Sequence, residues 1–221
     1  MGSLKDYEKK RRFARTPEPG PERKSTRSGR LFVIQKHRAS QLHYDFRLED
    51  EGVLKSWAVP KGPSLDPTVK RLAMQVEDHP VDYAKFEGVI PEGEYGGGTV
   101  MVWDHGTYEP KDTDNVAAAL RKGELKFSLN GKKLKGSWAL VRTRDRQWLL
   151  IKHRDYYAAP RIDVTELAPA SILTRRTLSE IAEDEGGNVK KAATGDPTEV
   201  PRRTGVKRRK KGQKKKVWHS H

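Results

Sequence analysis

Short runs of apolar and β-branched residues, separated by turn-forming residues, recur through the middle of the chain. Runs of this length and composition are typical of β-strands. They predict eight strands, at residues 31–36, 42–49, 54–59, 72–76, 99–103, 125–129, 133–142 and 147–152. Helical patterns are confined to residues 115–122, which contain three consecutive alanines, and to residues 178–185. Many short strands at this spacing predict a compact antiparallel barrel or sandwich.

Two glycine-containing segments are interpreted as turns. Asn130-Gly131 is the clearest signal for a hairpin. Residues 91–99 are glycine-rich, and backbone amides in such a loop can bind phosphate. However, neither a helical pattern nor a Lys-Ser or Lys-Thr pair follows them. We therefore expect a sharp turn or bulge that leads into the strand at residues 99–103.

The strand at residues 42–49 separates apolar from polar side chains with a period of two. Its apolar face, suited to a core, carries Leu42, Tyr44, Phe46 and Leu48. The other face carries His43, Asp45 and Arg47. An imidazole and a carboxylate two residues apart can begin a divalent-metal site, and the guanidinium suits an anion such as phosphate. His37, six residues upstream, could supply a third ligand.

Two further segments offer polar groups to the same site. Two prolines hold Lys61 at a stiff position after a strand, where its charge could bind phosphate. A later strand end and the turn beyond it carry Glu77, His79 and Tyr83, and loops on a rigid sheet often carry catalytic groups. A lone histidine before proline is more often a surface residue, but five groups converging on one strand face favour catalysis.

Positive charge is concentrated at the two ends of the chain, which has a net charge of +15. Residues 1–30 hold ten Lys/Arg against four Asp/Glu, a net of +6, and residues 189–221 hold twelve against two, a net of +10. Residues 31–188 hold 23 against 24, a net of −1. Basic arms beside a neutral body indicate nucleic acid, because neutralised phosphates release counterions. The alternative is that the C-terminal arm only solubilises the protein.

These patterns divide the chain into three parts. Residues 1–30 form a basic, proline-containing arm, residues 31–170 a β domain, and residues 171–221 a short helix followed by a Lys/Arg-rich tail expected to be disordered. The predicted fold class is mainly β, an antiparallel β-barrel of about eight strands with one or two short helices and flexible basic arms.

Composition excludes several classes of protein. There is no cysteine, which excludes disulfides, thiolate metal sites and a cysteine nucleophile, so any metal must be bound by nitrogen and oxygen. No apolar run approaches the roughly 20 residues that span a bilayer. We therefore expect a soluble, cytoplasmic protein with no membrane partner.

These segments resemble the 3′-phosphoesterase domain of bacterial DNA ligase D and its stand-alone relatives. The matching motifs are FVIQKH (32–37), LHYDFRL (42–48), SWAVPKGP (56–63), VEDHP (76–80), DY (82–83) and FEGVIPEGEYG (86–96), with KRRF (10–13) and TPEP (16–19) in the arm. The resemblance implies an enzyme of non-homologous end joining that trims DNA 3′ ends. It would remove a terminal ribonucleoside to leave a 3′-phosphate, and then hydrolyse that phosphate to a 3′-hydroxyl.

The resemblance also implies roles for individual residues. The metal, typically Mn²⁺ with Co²⁺ or Zn²⁺ as other occupants, is expected on His37, His43 and Asp45. The scissile phosphate is expected to contact His79, Arg47, Lys61 and Tyr83. Supporting roles fall to Gln35, Arg71, Glu77, Arg11 and Glu18. Arg12 stands where the family's arm usually has an acidic residue, so phosphate removal is the firmer of the two expected activities.

The expected substrate is a DNA primer-template with a 3′-phosphate or 3′-ribonucleotide end. Ligase, polymerase and Ku-type end-joining proteins are the expected protein partners, and the protein is expected to be a nucleoid-associated monomer. On the phosphate, His79 either stabilises charge or donates a proton to the leaving oxygen.

Two other functions stay open. His-x-Asp on a strand with a distant histidine also fits a non-haem Fe(II) oxygenase, in which His79 would be a ligand. The rim of Arg47, Lys61 and Arg71 is more basic than such a pocket needs. The second is a catalytically inactive DNA-end-binding scaffold. Such a scaffold would not need all five intact polar residues, His37, His43, Asp45, Arg47 and His79.

Overall fold

Within the described part of the chain, eight antiparallel strands close into a barrel, as the sequence predicted. The computed structural model describes residues 3–27 and 29–198. Its strands are β1 (Leu31–Arg38), β2 (Leu42–Asp50), β3 (Val53–Val59), β4 (Lys70–Gln75), β5 (His79–Pro80), β6 (Gly88–Ile90), β7 (Gly98–Lys111), β8 (Glu124–Gly131), β9 (Lys135–Arg144) and β10 (Gln147–Lys152). The barrel order is β1-β2-β3-β4-β10-β9-β8-β7, and β7 pairs back to β1. β5 adds to β3, and β6 adds to β7.

The barrel interior is filled by aromatic and aliphatic side chains. It includes four fully buried tryptophans together with Phe46 and Phe127, whose rings stack 5.8 Å apart. The tryptophans are Trp57, Trp103, Trp138 and Trp148. Each aromatic side chain buries about 150–250 Å². The interior is therefore a packed core and not a ligand cavity.

A second apolar layer covers the outer face of β1, β3 and β7. Its members come from those strands, from β6 and from the segment around the 3₁₀ helix Val81–Lys85, and Tyr7 of the helix α1 (Leu4–Lys9) joins them. They are Tyr7, Val33, Leu54, Val81, Tyr83, Ala84, Phe86, Ile90, Val100 and Val102. Because β1 is covered on both faces, polar side chains on its outer face are removed from water.

The two predicted helices are present. The helix α2 (Val116–Lys122) begins where the Asn115 side chain accepts a bond from the Ala118 N–H at 2.8 Å. It ends at Gly123, which has the positive φ of 94° that favours glycine. The helix α4 (Leu178–Glu185) follows α3 (Val164–Leu167) and begins with a capping box between Thr177 and Glu180. Both helices therefore follow from local sequence signals.

The arm and the tail contain helices that the sequence analysis did not predict. In the arm, α1 begins with a capping box between Ser3 and Asp6 and buries Tyr7 completely. In the segment 171–221, α5 (Val189–Ala193) packs through Ala192. The expected disorder of the tail is therefore wrong for residues 189–193, and the Lys/Arg-rich residues 199–221 lie outside the described residues. Among those that are described, no helix is long and apolar enough to cross a membrane.

The hairpin predicted at Asn130-Gly131 exists, but its turn lies further along. Asn130 pairs with Lys135, so both predicted turn residues belong to β8 and the loop is residues 132–134. The Asp104 carboxylate shapes this loop by accepting three backbone N–H bonds, from Lys132, Lys133 and Leu134, at 2.8–3.0 Å. Gly131 is required for space, since a Cβ there would lie 2.5 Å from Asp104 Oδ2.

Candidate active site

The β1–β2 hairpin brings together the three residues expected to hold a metal. His37 lies directly opposite His43, and Asp45 is the next outward-facing residue of β2. One nitrogen of each imidazole and a carboxylate oxygen all lie within 4.8 Å of one another. The apolar face of β2 points into the barrel, where Tyr44, Phe46 and Leu48 join the interior core while Leu42 packs against it. The predicted division of β2 into two faces is therefore confirmed.

Backbone carbonyls fix the orientation of both imidazoles. His37 donates from Nε2 to Gly96 O at 2.8 Å, and His43 donates from Nδ1 to Gln41 O at 3.1 Å. A carbonyl only accepts, so these nitrogens carry the hydrogens and the other two present lone pairs. Those lone-pair nitrogens, Nδ1 of His37 and Nε2 of His43, each lie 3.7 Å from Asp45. Histidines that ligate metals show this arrangement.

The ionisation of Asp45 and His37 also fits a metal site, whereas at His43 a metal would compete with a proton. Burial alone would raise the pKa of the Asp45 carboxyl, but Arg47 and the two histidines hold it well below its usual range. Burial lowers the pKa of His37. For His43, burial opposes the charged form, but the Asp45 carboxylate outweighs it and raises the pKa. A charged carboxylate with two imidazoles is a donor set for a divalent metal such as Mn²⁺ or Zn²⁺.

Arg47 connects the group of His37, His43 and Asp45 to the rest of the cleft and is almost fully buried. Its guanidinium donates from Nη2 to Asp45 Oδ2 at 3.0 Å and from Nε to Gln35 Oε1 at 2.8 Å. Gln35 in turn donates to the carbonyls of Tyr83 and Phe86, at 3.0 and 2.9 Å. Gln35 therefore fixes Arg47 relative to the segment that covers the outer face of the barrel.

His79 lies between two arginines. Arg47 Nη1 is 3.0 Å from its Nδ1, and Arg11 Nη2 is 3.2 Å from its Nε2. A hydrogen on Nδ1 satisfies the Glu77 carbonyl at 2.9 Å and leaves Nε2 to accept from Arg11. Burial lowers the pKa of His79 well below its usual value, and the two guanidinium groups lower it further. The imidazole is therefore neutral near pH 7.

The arm closes one side of the cleft. Arg11 donates from Nε to Glu18 Oε1 at 2.8 Å and from Nη1 to Glu77 Oε1 at 3.2 Å. Tyr83 donates its hydroxyl to the same Glu18 oxygen at 3.0 Å. The structure thus joins Arg11, Glu18, Glu77 and Tyr83 in one buried network, although the first two lie about 60 positions from the others along the chain. Arg12 instead points to the glycine-rich loop, where its Nε lies 3.1 Å from Glu94 Oε2.

The resulting cleft has a volume of about 150 Å³. Its lining includes His37, His43 and Asp45 together with Arg47, His79, Tyr83, Glu77 and Arg11. A larger cavity of about 520 Å³ lies beyond Ile90, between the β6–β7 loop and the α4–α5 region. That cavity has no imidazole in its lining, so we place the candidate chemistry in the smaller cleft.

Four of the sequence-predicted residues are not part of the cleft lining. Gln35 and Glu18 lie behind it, where they bond to Arg47 and Arg11. Arg71 pairs with Leu150 and shares a strand face with Ala73, both of which face the barrel interior. Its side chain therefore starts on the opposite side of the sheet from Asp45. Lys61 is exposed in the turn after β3, at the end of the β2–β3 pair where His43 lies.

Sequence reasoning missed three residues around the cleft. Gly96 supplies the carbonyl that orients His37, and no side-chain pattern could indicate it. Tyr95 lines the cleft and accepts a bond from Lys10 Nζ at 3.1 Å. Tyr7 packs behind Arg11, with the guanidinium carbon 3.8 Å from its ring centroid. Tyr95 belongs to the matched motif at residues 86–96, whereas Tyr7 lies in the arm, which was expected to be flexible.

Known proteins provide an independent comparison. Residues 35–142 match the family model of the DNA ligase D 3′-phosphoesterase domain. The chain is 50% identical over 210 residues to the multifunctional non-homologous end joining protein LigD of Pseudomonas aeruginosa, covering 90% of this chain and 25% of that protein. It is 44% identical over 167 residues to the multifunctional non-homologous end joining DNA repair protein LigD of Mycobacterium tuberculosis, covering 75% and 22%. The chain spans about a quarter of the length of these relatives.

Proposed function

The chain belongs to the DNA ligase D 3′-phosphoesterase family, and on this premise we propose that it is a metal-dependent hydrolase that processes DNA 3′ ends. Its substrates would be primer-templates that end in a 3′-phosphate or a 3′-terminal ribonucleoside, and its product a 3′-hydroxyl. The observation that supports this proposal most directly is one cleft in which two imidazoles and a carboxylate stand beside Arg47, Arg11 and a neutral His79.

The metal would be held by His37, His43 and Asp45, and Mn²⁺ is the ion we propose. A divalent ion there would act as a Lewis acid on a phosphate oxygen. The chain prepares the site without it, because the Gly96 and Gln41 carbonyls orient the imidazoles and Arg47 keeps Asp45 ionised.

Arg47 and Arg11 would bind the phosphate. Both side chains are buried, and their hydrogen bonds fix the guanidinium planes at the cleft wall. Phosphoryl transfer develops charge on the equatorial oxygens, so donors already fixed in place stabilise the transition state more than mobile ones. Tyr83 and Glu77 act in this scheme through Arg11: Tyr83 hydrogen-bonds Glu18, the partner of Arg11, and Glu77 accepts from Arg11 directly.

His79 enters the reaction as a neutral imidazole whose hydrogen on Nδ1 is bonded to the Glu77 carbonyl, so it can donate to a phosphate oxygen only after Nε2 gains a proton. A phosphate bound between Arg47 and Arg11 would offset their repulsion of a proton and so raise the pKa of the His79 imidazole in the complex. In that state His79 could protonate the leaving oxygen. The pH dependence of kcat reports the complex, whereas that of kcat/KM reports the free enzyme, so the two profiles separate these roles.

Removal of a terminal ribonucleoside would depend on the arm as well as on the metal ligands. Arg11 reaches the cleft, but Arg12 occupies the position where an acidic residue is expected and instead pairs with Glu94. We therefore propose 3′-phosphate removal as the principal activity and ribonucleoside removal as the weaker one.

The remaining assignments concern partners. The basic residues of the tail would bind DNA, and Gly195, among the last described residues, lies near Leu42 at the start of β2. Lys61, exposed at the same end of β2, would add a charge at the rim. Ligase, polymerase and Ku-type proteins are the proposed partners, and a cytoplasmic, nucleoid-associated monomer is the proposed state.

The decisive experiment offers the full chain a primer-template with a 3′-phosphate in the presence of Mn²⁺ and measures released phosphate. We expect His79→Ala to lose about 10²–10⁴-fold in rate while still binding Mn²⁺. The matched control is His105→Ala, a histidine of β7 outside the cleft lining, which should act like the wild type. Phosphate release by His79→Ala at the wild-type rate would refute the proposed role.

The same assay separates the alternative functions. A scaffold would bind the primer-template, with Mn²⁺ present, and release no phosphate. An iron oxygenase with His79 as a ligand is disfavoured, because in the described residues the ligand group contains His37, His43 and Asp45 but not His79. Consumption of a 2-oxo acid by the iron-loaded protein would support the oxygenase instead.

A further inference from the structure

Tyr7 lies immediately behind the cleft and is fully buried, although it belongs to a helix of six residues near the start of the chain. Its ring centroid is 3.8 Å from the guanidinium carbon of Arg11 and 5.0 Å from the ring of His79. Its hydroxyl donates to Pro19 O at 2.6 Å. Tyr7 is not part of the cleft lining, so this hydroxyl is committed to the arm and not to a substrate.

The Arg11 guanidinium is held at its edge and on one face. At its edge, Nε donates to Glu18, and Nη1 donates to Glu77 and to the backbone carbonyl of Tyr7 at 3.2 Å. The face of the group rests on the Tyr7 ring, an arrangement that is most favourable when both groups are removed from water. The hydrogen bonds of Nε and Nη1 fix the position of the Arg11 guanidinium, and the Tyr7 ring limits how far the plane of this group can tilt relative to His79.

We propose that Tyr7 is a positioning residue for the reaction: its ring holds the Arg11 guanidinium against His79, so that both are oriented before a phosphate binds. This inference rests on the proposed function, in which Arg11 and His79 engage the phosphate. Because donors fixed before the reaction avoid the cost of reorganisation, loss of the ring lowers kcat even though Tyr7 touches no substrate.

The test uses the full chain with Mn²⁺ and a 3′-phosphate primer-template. Tyr7→Phe keeps the ring and loses only the bond to Pro19, so we expect kcat within about twofold of the wild type. Tyr7→Leu removes the ring, and we expect a loss of about tenfold, the scale of a desolvated cation–π contact. In the Arg11→Ala background, Tyr7→Leu should have no further effect, because nothing remains to be positioned. The proposal would be overturned if Tyr7→Leu kept the wild-type kcat, or if the losses caused by Tyr7→Leu and Arg11→Ala multiplied in the double variant.

Tyr108→Leu is the matched control for stability. Tyr108 is equally buried, donates its hydroxyl to a backbone carbonyl at 2.7 Å and has Arg30 5.8 Å from its ring, but it belongs to the barrel interior. All variants are assayed at a temperature at which urea unfolding shows them folded. Tyr108→Leu should retain kcat, and a tenfold loss there would show that general loosening explains the effect of Tyr7→Leu.

A second readout does not depend on activity. Solvent exchange of the Arg11 guanidinium hydrogens should be faster in Tyr7→Leu than in the wild type, but unchanged in Tyr7→Phe and in Tyr108→Leu. If the wild type releases no phosphate, the proposed function fails, while faster exchange in Tyr7→Leu still shows that the ring holds Arg11 in place. Unchanged exchange in Tyr7→Leu would refute the inference, whatever the activity.

Discussion

Replacing Arg47 with methionine tests whether the buried charge of Asp45 depends on this guanidinium. The two groups are 3.0 Å apart and buried. At an effective dielectric constant of about 20, unit charges at this distance attract by roughly 5–6 kcal/mol before desolvation is counted. Removing one partner of a buried pair typically costs about 3–5 kcal/mol, because the other charge is left uncompensated. We expect a loss of that size for Arg47→Met in the metal-free protein.

The assay is urea unfolding in the presence of a chelator. The double variant Arg47→Met/Asp45→Asn should be more stable than Arg47→Met alone, because it removes the uncompensated carboxylate. Lys152→Met is the control, since the buried Lys152 forms an ion pair with the partly exposed Asp155 at 2.6 Å outside the cleft. It should lose stability and keep phosphatase activity. Equal stabilities of Arg47→Met and the double variant would refute the reasoning, because the Asp45 charge would then not be the source of the loss.

Three further predictions address ionisation, metal binding and DNA binding. Nitrogen chemical shifts at pH 6 should show a neutral His79, because its pKa lies well below the ordinary 6.5. The unfolded chain binds a proton at His79 at a higher pH than the folded chain does, so the free energy of unfolding should decrease as the pH is lowered below about 6.5. In urea unfolding, His79→Gln should make this decrease smaller. By calorimetry, Asp45→Asn should weaken Mn²⁺ binding at least tenfold, whereas Asp78→Asn should not. Removing residues 199–221, which hold ten Lys/Arg, should reduce the slope of log affinity for DNA against log salt, and equal slopes would show that the tail does not bind phosphate.

The polar face of β2 could be predicted because strand periodicity is a local property. The apolar side of residues 42–48 indicated the core and left His43, Asp45 and Arg47 together on the other side. Placing His37 opposite His43 also required the hairpin register, which the sequence spacing allowed but did not determine.

The same logic gives the wrong face for β4. Leu72 and Met74 look like core residues, yet Leu72 is 44% exposed and Ala73 faces the interior. The reason is tertiary: inside the barrel, Trp148 donates to Gln75 at 3.2 Å, which satisfies a polar residue on the interior face. Arg71 shares that face, so its distance from the cleft could not be predicted from alternation alone.

The arm shows a different limit. Its sequence offers α1 few apolar residues, and a six-residue helix is not stable alone. The helix forms because Tyr7 is buried against the outer layer of the barrel and Arg11 bonds to residues that lie more than 60 positions away. No local pattern encodes such contacts, so the irregular segment predicted there was wrong for residues 4–9.

The barrel wall is one strand thick where β2 runs, and successive side chains of that strand meet different demands. Tyr44, Phe46 and Leu48 must fit neighbours inside the core, whereas the residues between them must suit a chemical task on the outside. Among descendants of such a protein, a substitution of His43, or a joint replacement of Asp45 and Arg47 that leaves no buried charge uncompensated, can abolish the reaction without unfolding the molecule. Loss of activity and loss of fold can therefore arise by separate mutational routes, at alternate positions of a single segment.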